Sequence, residues 1–263
     1  MADVEFKLEN GVLWITLNRP EQMNAMTADM RDQIIARLGA VRTDPDVRAV
    51  VITGVGKGFC TGADLSRPPG AAQEAPSVAA TRQMMRSGAQ ILLRSIWELE
   101  KPVLAAVNGT AAGLGSHLAF GCDLILAAED ARFIEVFVRR GIAIDAAGGF
   151  LLPRVVPLCK AKEMVFFGDA LSAAEAERIG LVNRVVPRDQ LESTAREWAE
   201  RLAKGPTVAM GISKRLLNRG TEVGLDTSLE EEAYAQTLVT QSEDSKEGMT
   251  AFREKRQPAF KGR

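Results

Sequence analysis

The most informative segment of the chain reads Asn108-Gly-Thr-Ala-Ala-Gly-Leu-Gly-Ser-His117, and it directly follows the apolar run Val103–Val107. The apolar run predicts a buried strand, and the residues after the glycines predict a helix. A glycine-rich turn from strand to helix presents unpaired N–H groups at a helix N-terminus, where negative charge is stabilised. The same small residues also permit tight packing of helix on sheet, and both interpretations can hold together.

Strands and helices alternate around this turn. Two more apolar runs, Ala49–Thr53 and Leu124–Ala128, are typical of buried strands, and a periodic helix ends at Lys101-Pro102. The alternation predicts an α/β architecture. The end of the chain is almost wholly helical in pattern, so we divide the chain into a core over residues 1–200 and a helical segment over 201–263. Such a segment favours self-association.

The composition excludes several classes of protein. Lys and Arg total 33 against 34 Asp and Glu in 263 residues, so no basic excess points to nucleic acid as a partner. We expect no membrane span, because no long stretch is free of polar residues, and a cytoplasmic location, because the N-terminus has no signal pattern. The stretch from Pro68 to Pro76 predicts a surface loop.

The chain has few residues that could hold a metal. Its three cysteines, Cys60, Cys122 and Cys159, form no paired motif, and His117 is its single histidine. We therefore expect neither a disulfide framework nor a metal site. His117 itself fits two roles, that of a general base and that of a hydrogen-bonded histidine in the core.

Two further segments could carry chemistry. Gly56-Lys-Gly-Phe-Cys-Thr-Gly-Ala-Asp64 follows a strand and could aim backbone N–H groups at an oxyanion, although alone it is more typical of a plain surface turn. Gly141-Ile-Ala-Ile-Asp145-Ala-Ala-Gly-Gly149 places an aspartate among apolar residues. Such an aspartate can act as an acid or base with a raised pKa, but chemistry alone favours a cap for a helix beginning near Ala146.

Taken together, these segments resemble the crotonase family, the enoyl-CoA hydratase/isomerase superfamily, over essentially the whole chain. The matching motifs occur in the family's order: Leu17-Asn-Arg-Pro20, Asn24-Ala25, Phe59–Asp64, Asn108–Gly115, Ser172–Ala176, Gly180–Val182, Glu247–Phe252 and Glu254–Arg256. The resemblance implies an α/β spiral of strand–strand–helix units and a helical C-terminal trimerisation segment, usually in a dimer of trimers. It also implies an acyl-CoA thioester substrate and no separate cofactor, because coenzyme A is part of the substrate.

The resemblance also implies the residues of the site. The family holds the thioester oxygen with two backbone N–H groups, which by position are those of Ala63 and Leu114. The coenzyme would lie along a set of residues from the first part of the chain: Met23, Ala25, Lys57, Phe59 and Asp64. Two residues of an adjacent subunit, Phe252 and Lys255, would add to it from positions i and i+3 of one helical face.

The departures from the family pattern bear on the reaction. The hydratases of the family carry two glutamates that activate water, and here those positions are His117 and Phe137. Asp145 instead matches a branch that includes 1,2-epoxyphenylacetyl-CoA isomerases, which also act as Δ3,Δ2-enoyl-CoA isomerases. Three functions follow as hypotheses: an enoyl-CoA isomerase with Asp145 as base and His117 assisting, a hydratase or hydrolase in which His117 and Asp145 activate water, and a weakly active CoA-binding scaffold.

Overall fold

The computed structural model describes residues 2–66 and 77–263, so the loop expected from Pro68 to Pro76 lies outside the described residues. The strands are β1 (Val4–Glu9), β2 (Val12–Leu17), β3 (Ala49–Gly54), β4 (Gly58–Cys60), β5 (Val103–Val107), β6 (Thr110–Ala112), β7 (Leu124–Ala128), β8 (Arg132–Ile134), β9 (Ala170–Ser172) and β10 (Arg184–Val186). The α-helices are α1 (Ala28–Val41), α2 (Val78–Ser87), α3 (Ala89–Trp97), α4 (Leu114–Phe120), α5 (Gly148–Val155), α6 (Leu158–Phe167), α7 (Ala173–Arg178), α8 (Leu191–Ala203), α9 (Thr207–Gly220), α10 (Leu225–Val239) and α11 (Glu243–Glu254).

The larger sheet contains six strands in the order β1-β2-β3-β5-β7-β10. β1 and β2 form an antiparallel hairpin, and every other pairing in this sheet is parallel. Apolar side chains of β2, β3 and β5 are buried on both faces, which explains why these strands read as unbroken apolar runs. One face packs with α1 and α3, and the other packs with α8.

A second sheet of four strands, in the order β4-β6-β8-β9, runs beside the first. Each of its first three strands follows a strand of the larger sheet, so β3–β4, β5–β6 and β7–β8 are consecutive pairs that alternate between the sheets. Helices follow each pair, with α4 directly after β6. This repetition of strand, strand and helix confirms the predicted α/β spiral, and it brings the ends of β4 and β6 side by side.

Helices α9 to α11 form the C-terminal segment. The predicted boundary at residue 200 falls inside α8, whose Ala195, Ala199 and Ala203 pack on the larger sheet, so the core continues to the end of this helix. α10 packs on α9 and leaves Leu229, Tyr234 and Leu238 exposed. Among the helices of the described residues, none is both long enough and apolar enough to cross a membrane.

Candidate active site

Two glycine turns meet at the ends of β4 and β6. β4 and β6 pair in parallel, with Cys60 opposite Ala111. A methyl group added to Gly62, whose φ is 101°, would lie 3.0 Å from the carbonyl oxygen of Ala112 and 3.7 Å from the backbone nitrogen of Leu114. A methyl group on Gly115 would overlap the Cys60 carbonyl. The two turns are thus in direct contact, at a distance that only glycine permits.

Each turn supplies one unpaired amide. Met26 donates to the Gly62 carbonyl at 2.8 Å and accepts from the Asp64 amide at 2.9 Å, so the intervening Ala63 N–H points away from Met26. Leu114 is the first residue of α4, and its N–H has no acceptor within the helix. Within residues 2–66 and 77–263, neither amide forms a hydrogen bond. Two donors from contacting turns are what an oxyanion requires.

His117 lies on α4, three residues beyond Leu114, and is completely buried. Its Nε2 lies 3.0 Å from Oε2 of Glu135, a second buried residue just beyond β8. The ring of Phe137 stacks on the imidazole, with centroids 5.3 Å apart and planes 14° from parallel. His117 is therefore a hydrogen-bonded histidine of the interior, and its partner is Glu135 rather than Asp145.

Glu135 was not predicted from the sequence. The one signal for it is a carboxylate within the otherwise apolar run Phe133–Phe137. Among the described residues, Oε1 of Glu135 and Nδ1 of His117 are buried and have no hydrogen-bond partner. Glutamate is rarely fully buried, and buried polar atoms rarely lack a hydrogen-bond partner, so this pair is an unusual feature of the interior next to the turns.

Asp145 lies half-buried in the turn that leads into α5. Burial raises its pKa, the positive charge that His117 can carry opposes this increase, and the negative charge of Glu135 adds to it. Within the described part of the chain, the Asp145 carboxylate forms no hydrogen bond and no ion pair. It is therefore a carboxylate of raised proton affinity that remains available to a ligand.

The expectation that Asp145 caps a helix is wrong. α5 begins at Gly148, its preceding residue is Ala147, and no side chain caps it. The turn is closed instead by the backbone, because the Gly148 N–H donates to the Asp145 carbonyl at 2.8 Å. Ala146 and Ala147 have φ angles of 42° and 62°, left-handed values that cost about 1–2 kcal/mol per residue without glycine. The turn is held in a strained conformation that leaves the Asp145 side chain free.

Within the expected coenzyme surface, Ala25 and Asp64 are held together by hydrogen bonds from Arg19. Arg19 donates from Nη1 to the Ala25 carbonyl at 2.6 Å and to the Asp64 carboxylate at 2.8 Å. Hydrogen bonds from Ser66, and then from Arg19, lower the pKa of Asp64 to about 2. Asp64 thus fixes the loop after β4, and its charge is already compensated within the chain.

The other residues expected along the coenzyme differ in exposure. Lys57 is exposed, and Met23 adopts a left-handed conformation in which its carbonyl accepts from the Thr61 amide at 3.2 Å. The side chain of Phe59 is fully buried in the core. The side chain of Phe59 therefore lies in the core beneath the expected coenzyme surface, and its place along the coenzyme remains a prediction.

The two C-terminal residues do not share a helical face. Phe252 lies on α11 and is 80% exposed. Lys255 follows the end of α11 with a φ of 55°, in the left-handed region. The expected i, i+3 arrangement is wrong for this reason, since the helix stops one residue earlier. Their contribution to a neighbouring subunit remains a prediction.

A crevice of about 670 Å³ lies elsewhere, between α3, α5 and α9. Trp97, Phe150 and Lys214 are among its lining residues, and Ala147 is its one contact with the Asp145 turn. Neither Ala63 nor Leu114 lines it. The candidate site is therefore the junction of the two glycine turns and not this crevice.

Comparison with known proteins places the whole chain in one group. A family model described as enoyl-CoA hydratase/isomerase matches residues 7–263. The chain is 38% identical to the 1,2-epoxyphenylacetyl-CoA isomerase of Escherichia coli, over 97% of each chain. It is also 38% identical to the short-chain-enoyl-CoA hydratase of Clostridium acetobutylicum, over 100% of this chain and 99% of the other. The crystal structure of enoyl-CoA hydratase from Bacillus anthracis superposes with a TM-score of 0.92 at 33% identity, covering 100% of both chains.

We expect Gly148→Ala to disrupt the site. The added methyl group would overlap Cε1 and Nε2 of His117, although helix propensity alone favours alanine there. Overpacking of this kind costs about 1–3 kcal/mol, measurable by denaturant unfolding. Gly149→Ala is the matched control, because its nearest neighbour would be Ile144 at 4.0 Å. Equal stability of the two variants would contradict the packing of Gly148 on the imidazole.

Proposed function

Because the chain belongs to the enoyl-CoA hydratase/isomerase family, we propose that it is an enoyl-CoA isomerase in which Asp145 is the base. The observation that supports this most directly is the state of Asp145. It is a half-buried carboxylate without a hydrogen-bond partner in the described chain, on a turn that rests on α4. The same helix begins at Leu114, one of the two predicted oxyanion donors.

In this mechanism the amides of Ala63 and Leu114 donate to the thioester oxygen of a 3-enoyl-CoA. The Asp145 carboxylate removes a proton from C2, and the electron pair delocalises over the carbonyl and the double bond as a dienolate. The protonated Asp145 then returns the proton to C4, which moves the double bond to C2–C3. No water is consumed. In another enzyme, removal of one oxyanion-hole donor costs about 2.7–4 kcal/mol of transition-state stabilisation.

The two positions at which the hydratases carry glutamates support a reaction with one base. Phe137 occupies one of them, with an apolar ring that cannot accept a proton. His117 occupies the other, and its Nε2 is already bonded to Glu135. Asp145 can serve both proton transfers alone, whereas hydration by two glutamates has no equivalent among these side chains.

The C-terminal helices carry apolar side chains that could join copies of the chain. Leu229, Tyr234 and Leu238 of α10 are exposed apolar side chains on the C-terminal segment. Contacts between copies would remove them from water. We propose that these helices join three chains, singly or as a dimer of trimers.

Asp145→Asn should abolish most of the isomerisation of 3-enoyl-CoA, because the amide cannot take up the proton from C2. Loss of a general base reduces turnover by about 10²–10⁴-fold. The measurement is the rate of 2-enoyl-CoA formation, followed by absorbance. Circular dichroism of the variant should match that of the unsubstituted chain. Turnover near that of the unsubstituted chain would exclude Asp145 as the base.

The same variant should be more stable than the unsubstituted chain at neutral pH. Burial raises the pKa of Asp145 in the folded state, so the ionised carboxylate costs stability above its unfolded pKa. The melting temperature of Asp145→Asn should therefore exceed that of the unsubstituted chain at about pH 7, and the difference should vanish near about pH 4. Turnover of the unsubstituted chain should fall as the pH decreases through the raised pKa. A less stable Asp145→Asn at neutral pH would show that the carboxylate has a stabilising partner.

A hydratase is the second candidate, because the relatives include proteins named as hydratases at equal identity. A carboxylate of raised proton affinity near an imidazole could also activate water. The experiment that separates the two functions is turnover in water enriched in heavy oxygen, with mass spectrometry of the product. An isomerase yields a product without the label, and a hydratase incorporates one labelled oxygen. A labelled hydroxyacyl product would overturn the proposed isomerisation.

A further inference from the structure

A pair of ionisable side chains is buried next to the Asp145 turn, and the mechanism above does not use it. His117 is 0% exposed and Glu135 is 1% exposed, with Nε2 and Oε2 3.0 Å apart. Their other polar atoms, Nδ1 and Oε1, lack hydrogen-bond partners within the described residues. Each buried polar atom without a partner lowers the stability of the folded chain. The buried pair is therefore not explained by a gain in stability, and a role in the site is the alternative.

The smaller sheet connects the backbone next to Glu135 to the turn before Leu114. β6 and β8 pair with Ala112 opposite Ile134, and the Gly113 N–H donates to the Ile134 carbonyl at 2.9 Å. Glu135 is the next residue after Ile134. The strand that fixes the turn before Leu114 therefore also fixes the backbone from which the Glu135 side chain extends.

The imidazole of His117 packs directly against the turn that carries Asp145. Gly148 packs against the edge of the ring that contains Cε1 and Nε2, where a methyl group would not fit. Gly148 closes the turn by donating its N–H to the Asp145 carbonyl. Phe137 covers a face of the same ring. A rotation of the imidazole toward Gly148 would therefore displace the backbone that carries Asp145.

The same three groups are coupled electrostatically. Of the charged groups that the structure describes, His117 from α4 and Glu135 from beyond β8 act on Asp145, one lowering and one raising its pKa. The α5 helix and the Asp145 turn itself contribute no further charge to it. Glu135 thus affects Asp145 in two ways, through the imidazole and through its own charge.

We propose that Glu135 is a positioning residue of the isomerase: it accepts the Nε2 hydrogen of His117, fixes the tautomer and orientation of the imidazole, and thereby holds Asp145 in place for proton transfer. This inference rests on the proposed function. Glu135 does not touch the substrate in this scheme. A purely structural pair would affect stability, whereas a positioning pair affects the rate of the chemical step.

Glu135→Leu removes the acceptor and the charge at similar volume, and Glu135→Gln keeps an acceptor oxygen without the charge. We expect Glu135→Leu to lower kcat for 3-enoyl-CoA about 10- to 100-fold, by analogy with the loss of the hydrogen-bond partner that orients a metal-binding histidine. The KM should change little. Glu135→Gln should recover part of kcat, and the exposed Glu129→Gln is the matched control that should leave both constants unchanged.

The single histidine makes a direct readout possible. Ring-nitrogen NMR of the chain with isotope-labelled histidine should show a proton on Nε2, and Glu135→Leu should change the protonation pattern of the two nitrogens. The carboxyl signal of Asp145, assigned against Asp145→Asn, should titrate at lower pH in Glu135→Gln, because the charge that raises its pKa is removed. These spectra can be recorded on a variant of altered stability as long as it is folded.

The outcomes separate the two proposals. If the unsubstituted chain isomerises 3-enoyl-CoA and Glu135→Leu retains its kcat, the positioning role is overturned. If the unsubstituted chain does not isomerise 3-enoyl-CoA, the proposed function fails and the spectra decide the positioning role. That role stands if the Glu135 variants alter both the ring nitrogens and the Asp145 titration, and it falls if either is unchanged.

Discussion

The contact between the loop after β4 and the turn before α4 is the constraint on which the rest of the site depends. It exists because Gly62 and Gly115 lack side chains, so that backbone meets backbone at Ala112 and Cys60. The loop before β4 also packs so closely on a neighbouring turn that a glycine is required at the contact. A methyl group on Gly109 would overlap the Lys57 carbonyl, and Asn108 donates to the Gly56 and Gly58 carbonyls at 2.9 and 3.0 Å. Close backbone approach and buried asparagine bonds leave the Ala63 and Leu114 amides as the unpaired donors of the junction.

Much of this arrangement was predictable from local pattern. Apolar runs such as Val103–Val107 identify buried parallel strands, and glycine-rich segments after them identify the turns. These features depend on a few adjacent residues, and the chain resembles its family at those residues. The meeting of the two turns was expected only from the resemblance to the family, because the alternation of consecutive strand pairs between two sheets is a property of the folded chain.

The features that were missed depend on contacts between distant residues. The bond between His117 and Glu135 spans 18 residues, and no local rule indicates which carboxylate would face the imidazole. Phe59 lies in a motif expected at the coenzyme, yet its ring is buried in the core, as are its two neighbours in β4. Asp145 precedes glycines in a pattern typical of a helix cap, but left-handed backbone at Ala146 and Ala147 delays the helix to Gly148.

By resemblance, Phe137 and His117 occupy the two positions at which the hydratases of the family carry glutamates. A stacked aromatic ring and a buried imidazole leave less polar surface for an attacking water than two carboxylates would. A site with little water also strengthens the attraction between backbone amides and a developing oxyanion, because the effective dielectric constant is lower. In the proposed isomerase, an apolar environment around the Ala63 and Leu114 amides would favour formation of the enolate. If the proposed isomerase role of Asp145 holds, the enolate is consumed by proton transfer within the substrate, because the one base that removes the proton also returns it.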